Sequence, residues 1–132
     1  MNKKAFNKEC ERIMRYIDRY SYLLTLAGWN VDFHFHQRPV KGCNENDAAG
    51  YVNFMWEYLA ADIHFNAFLT AELDDEVVEE TVLHELVHVL VGEATNKRGS
   101  IERVVTTISR QMQHLAHIDY DNPPKFQWEK AA

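Results

Sequence analysis

A chain of 132 residues, 46% hydrophobic and 12% aromatic, has room for one domain with one core, and its composition excludes intrinsic disorder. The formal charge is -6, and no Lys/Arg stripe falls on a predicted helix face, which argues against a nucleic-acid-binding surface. No apolar run follows Lys3-Lys4, and none reaches the ~18 residues of a membrane span, so the expected location is the cytoplasm, with no membrane partner.

Residues 4–27 read as a first helix. Phe6, Cys10, Ile13, Ile17, Ser21 and Leu24 recur at steps of four and three, and Gly28 is placed to end it. Trp29 to His36 alternates, with Trp29, Val31, Phe33 and Phe35 on one face and Asn30, Asp32, His34 and His36 on the other. That pattern predicts a half-buried strand. A polar loop over 37–48 follows. Residues 50–58 and 61–69 read as two more strands joined as a hairpin. Cys10 and Cys43 lack metal or redox spacing and read as reduced structural thiols.

After Leu73-Asp74-Asp75 a strongly apolar helix is predicted over 76–91. The two aspartates complement the positive end of its dipole. Gly92 to Gly99 breaks it, and Ser100 is placed to cap a further helix running to about His117. Asn122-Pro123-Pro124 ends that helix. A helix, three strands and two helices predict one α+β domain over 1–132, with helices packed on one face of a small, mainly antiparallel sheet of three strands or slightly more. The tail, 122–132, is left unassigned.

The apolar helix carries His84-Glu85-Leu86-Val87-His88, an H-E-x-x-H pattern. Residues four apart share one helix face, so the two imidazoles can hold one Zn²⁺ from one side. Glu85 lies ~100° round the helix, within reach of a water on that metal. The bland alternative is a helix with two solvent-facing histidines. It suits poorly an element this apolar.

Catalytic zinc takes three protein ligands and leaves a fourth position open. The extended pattern H-E-x-x-H-x-x-G-x-x-H fails, because Val91 and Ala94 stand where its glycine and third histidine belong. If the chain reverses between Gly92 and Gly99, Glu102 comes level with His88 and Thr106 with His84, at ~1.5 Å per residue. His114 then falls ~22 Å beyond Gly99. Glu102 is the expected third ligand, with Glu93, His114 and His117 next in line.

His84-Glu85-Leu86-Val87-His88 followed by Glu102-Arg103-Val104-Val105-Thr106 resembles the gluzincin pattern. With the strand Ala61-Asp62-Ile63-His64-Phe65-Asn66 before the motif helix, residues 29–117 resemble minimal zincin domains, including ImmA/IrrE-type and phage- or prophage-associated metallopeptidases. The resemblance implies a zincin-like fold and zinc-dependent peptide hydrolysis. It implies one Zn²⁺ per chain on His84, His88 and Glu102, with Glu85 as general base. It also implies that the strand around Ile63, His64 and Phe65 pairs with an extended protein or peptide substrate. An endopeptidase is favoured over an exopeptidase, and oligomeric state is left open.

Glu85 would take the proton of the activated water and return it to the leaving amine. For the oxyanion, His114, His117 and Tyr120 have suitable chemistry, His117 and Tyr120 being preferred because they lie near a helix end. Thr106 could hydrogen-bond His84. His34 and His36 read as a solvated strand face rather than a second metal site. His64 reads as outward-facing, or as part of a substrate edge. Trp29, Trp56 and Trp128 read as packing residues. Two other functions compete with the peptidase: a zinc-binding but catalytically weak interaction protein, for example a phage-encoded factor that captures a host peptide along its exposed strand, and a structural domain with no metal.

Overall fold

The structure, a computed structural model, describes residues 1–27, 29–91, 98–119 and 121–122. It is α+β. Helix α1 (Lys3–Tyr20) and the short α2 (Tyr22–Ala27) precede strands β1 (Asn30–His36) and β2 (Gly50–Met55). A single 3₁₀ turn (Trp56–Tyr58) leads to β3 (Ala60–Asn66). The helical turn α3 (Ala67–Thr70), then α4 (Asp75–Val91) and α5 (Arg98–Ala116) complete the order.

The expected hairpin is present: β2 pairs antiparallel with β3, from Met55 opposite Ala60 to Gly50 opposite Phe65. The sheet as a whole departs from the mainly antiparallel expectation. Its order is β1-β3-β2, and β1 pairs parallel with β3, Asn30 opposite Ala60 through His36 opposite Asn66. The long 37–49 connection carries the chain past the place that β3 later fills. Asn66 fastens that connection. Its Nδ2 donates to the carbonyls of Glu45 and Ala48 at 2.9 and 2.6 Å, and its backbone N–H to that of Ala49. Within the loop, the Asn46 amide closes on Val40 and Cys43.

This order overturns one expectation. Ile63, His64 and Phe65 lie on the central strand, both of whose edges are taken, so they cannot pair with a substrate strand. Ile63 and Phe65 are buried as well. Other boundaries shift. The first helix breaks at Ser21, so the buried stripe becomes Ile13, Ile17, Tyr20 and Leu23. The second strand turns to 3₁₀ after Met55, and the third becomes helical after Asn66. Helix α5 already begins at Arg98, which puts Gly99 and Ser100 inside its first turn and not at its cap. Gly28, the expected break over 92–97 and the prolines at 123–124 lie outside the described residues.

Helix α4 is buried on nearly every side. Val78, Val82, Leu83, Leu86 and Val89 meet the inner faces of β1 (Val31, Phe33, Phe35), β2 (Val52, Phe54) and β3 (Ala61, Ile63, Phe65), together with Ile13, Ile17 and Tyr20 of α1. An all-round apolar helix is what such a central position requires. Trp29 packs edge-on to Phe54 at 5.4 Å, as a packing residue. Both cysteines are free. A buried carboxylate of α1 ties the layers together. Glu9 of α1 takes Arg12 bidentately at 2.7 and 2.8 Å and the Thr70 hydroxyl at 2.6 Å. Arg12 also donates to the carbonyls of Thr70 and Leu73 and to Asp75, which fixes the start of α4. Among the described residues no helix is long and apolar enough to cross a membrane.

Candidate metal centre

The side chains of His84 and His88 leave α4 one turn apart and meet Glu102 of α5. His84 Nε2 lies 3.1 Å from Glu102 Oε2, His88 Nε2 lies 3.0 Å from Glu102 Oε1, and the two Nε2 atoms are 3.2 Å apart. Donors each ~2.0–2.2 Å from a tetrahedral zinc stand ~3.3–3.5 Å from one another. Taken to the nearer carboxylate oxygen in each case, the spacings of this triangle are zinc-sized to within a few tenths of an ångström. The two imidazoles meet edge-on, at 74°. Their Nε2 atoms converge on the same carboxylate, and that donor set of two nitrogens and one oxygen suits Zn²⁺.

Thr106 stands beside His84, its Oγ1 3.5 Å from Nδ1. With a metal on Nε2, Nδ1 would carry the proton and donate to that hydroxyl, which would hold the ring in one tautomer. Burial holds the His88 imidazole below its ordinary pKa, against the pull of the Glu102 carboxylate. Its neutral form, the one that ligates, is thereby favoured. Glu102 remains half exposed, so the triangle opens toward solvent on the α5 side.

Glu85 is only 5% exposed. Burial first, then the negative charges of Glu102 and Glu45, push its pKa up to about 8. Its Cγ lies against the start of β2, where an added Cβ on Gly50 would stand 3.0 Å away. Glu45 and Gly50 are parts of this site that the sequence reading missed. Glu45 reaches it because Asn66 folds the 37–49 loop over the end of β3. No local pattern announces a contact made at that distance along the chain.

The other expected residues are placed elsewhere. His117 Nε2 lies 2.8 Å from Glu79 Oε1, and Glu79 also holds Arg19, Tyr20 and Gln113. Glu79 precedes His84 by five residues, ~140° round the helix, so His117 is fixed on another face and is not an oxyanion group for this triangle. His114 and His117 line a cleft between α1, α4 and α5 with Tyr16, Arg19 and Glu79. Tyr120 and Glu93 lie outside the described residues.

Comparison with family models, with curated proteins and with solved structures finds no match for this chain. The site's own geometry carries the functional reading.

Proposed function

We propose that this chain is a zinc-dependent metallopeptidase with a zincin-like, gluzincin-type site. The observation that carries the proposal is the triangle of His84, His88 and Glu102 donors, 3.0–3.2 Å apart, with Glu85 next in sequence and buried beside it. Bound there, one Zn²⁺ would supply Lewis-acid polarisation of a peptide carbonyl and a more acidic water. His84 and His88 would bind through neutral Nε2, and Glu102 through its carboxylate. Thr106 would hold the His84 ring. Glu85 would accept the water proton and deliver it to the leaving nitrogen, a task for which a raised pKa is suited. The nearby positive charge of the metal would bring Glu85 below the value that burial alone imposes.

The protein or peptide substrate has an alternative edge to the one the sequence suggested. Among the described residues no strand pairs with the outer edge of β2, and β2 starts at Gly50 against Glu85. An extended peptide added along Gly50–Met55 would lie beside the triangle.

Zinc content is the first test. This site of the purified chain should hold about one zinc, and Glu102→Ala should lose or much weaken that equivalent. Zinc retained unchanged in that variant would refute the assigned ligand set. Glu85→Gln then tests chemistry: zinc kept, but no new amino termini from a mixture of unfolded polypeptides that the parent chain cleaves. The burial of Glu85 favours a second reading, a zinc protein that captures a peptide strand without cutting it. In that case Glu85→Gln changes neither zinc nor peptide binding.

A further inference from the structure

The sheet's other face carries a second group of metal-binding side chains. Strand alternation puts His34 and His36 on the face of β1 turned away from α4, and Asp62 and His64 on the same face of β3. The parallel register sets His34 directly opposite His64, and the two rings stack at 4.6 Å and 16°. Each β1 histidine leans toward the β3 residue one step back along that face. His34 Nε2 lies 3.0 Å from Asp62 Oδ1, and His36 Nε2 lies 2.8 Å from His64 Nδ1. The ring of Tyr51 on β2 stacks on His64 at 4.5 Å and 3°, closing the third side.

We infer that His34, Asp62 and His64 form a second divalent-metal site, of the zinc class, on the outer face of the sheet. One ligand atom from each of the three lies within 4.8 Å of the others. Two atoms 3.0 Å apart, as in the His34–Asp62 pair, can share one zinc at ordinary bond lengths of ~2.0–2.2 Å. Two imidazoles and one carboxylate form the donor set that borderline divalent ions prefer.

His36 supplies the supporting contact. A histidine that ligates through Nε2 donates its Nδ1–H to an acceptor, and here the acceptor is His36 Nε2 at 2.8 Å. All three ligands stand on paired strands, which fixes their backbones, and the stacked His34 and His64 rings would turn out of their stack to face one ion. The ion would clamp the edge strand β1 to the central strand β3. This site shares no residue with the α4–α5 triangle and lies across the sheet from α4.

The test uses the full chain with His84→Ala and His88→Ala, which removes the first site's histidines. Zinc titration should still find about one tight equivalent and a raised thermal midpoint with metal, since a ligand that binds only the folded state stabilises it. Adding His34→Ala or His64→Ala should weaken that binding at least about ten-fold and abolish the thermal shift. A double variant that takes up no zinc, or whose binding ignores His34 and His64, overturns the inference. Should the double variant not fold, the comparison is made between the parent chain and His34→Ala alone, a surface substitution. Zinc per chain then falls from about two to about one if the second site exists; an unchanged count overturns it.

Discussion

Gly50 and Glu85 fit together because one of them has no side chain. A Cβ at Gly50 would stand 3.0 Å from Glu85 Cγ and 3.3 Å from both the His64 carbonyl oxygen and Phe65 Cδ1. Two of these three neighbours belong to the sheet and cannot retreat, so Glu85 must. Gly50→Ala should cost about 1–3 kcal/mol of stability, the usual penalty of overpacking, read from the denaturation midpoint. It should leave zinc affinity within about three-fold of the parent, because no metal ligand is touched, while displacing the proposed base lowers turnover at least ten-fold. A variant that loses zinc as readily as activity would show that β2 supports the metal ligands themselves.

The raised pKa of Glu85 makes a prediction for chelator-treated protein. An acid whose folded-state pKa exceeds its unfolded value binds more protons when folded, so stability is full at low pH and is lost as pH rises toward the folded value, here about 8. The depressed values of His36, His64 and His88 act in the opposite sense, but only around and below the unfolded histidine pKa of ~6.5. Between pH 7 and 8, Glu85 therefore dominates. Urea titrations of the metal-free chain should show stability falling by about 1 kcal/mol across that unit, and the fall should vanish in Glu85→Gln. An equal slope in both proteins would mean that Glu85 is already ionised when folded.

Thr106 touches His84 and not the triangle. Thr106→Val keeps the shape and removes the acceptor for Nδ1–H. Zinc affinity should fall about ten-fold, the low end for such supporting contacts given the 3.5 Å separation, with little change in thermal midpoint of the metal-free protein. Competition with a chromophoric chelator measures it. Unchanged affinity would mean that the His84 ring is held by packing alone.

Arg12 is the cation that lets Glu9 be buried. Arg12→Leu leaves that carboxylate without its bidentate partner and frees the carbonyls of Thr70 and Leu73. The expected loss is about 3–5 kcal/mol. Combining it with Glu9→Gln should recover part of the loss, because the stranded charge is gone. If the double variant is no more stable than Arg12→Leu, the carbonyl contacts matter more than the ion pair.

The α4–α5 arrangement was legible because helices are regular. A fixed rise and a fixed angle per residue convert spacing into position, so His84, His88, Glu102 and Thr106 could be brought together on paper. The sheet was less legible. Alternation told the faces of each strand but not its neighbours, and the choice of β3 as the central strand rests on Asn66 and the 37–49 loop, which no periodicity reveals. The same gap hid Glu45 and Gly50 from the first site. It also hid Asp62 from the outer-face cluster, where only His34 and His36 had been paired by sequence. The buried charges Glu9 and Glu79 were not legible either, because nothing in a helix's own spacing says which acid will meet its cation inside the fold.

The strand order also sets a schedule for synthesis. β1 and β2 emerge from the ribosome first but never pair with each other; the strand that joins them is made last of the three. Until Asn66 has emerged there is no sheet, only two separated segments with unpaired edges and apolar faces. A nascent chain stalled at residue 59 should thus be protease-sensitive and prone to self-association, whereas one that also displays α3 and α4 lacks, of the described core, only the α5 side chains Val105 and Met112.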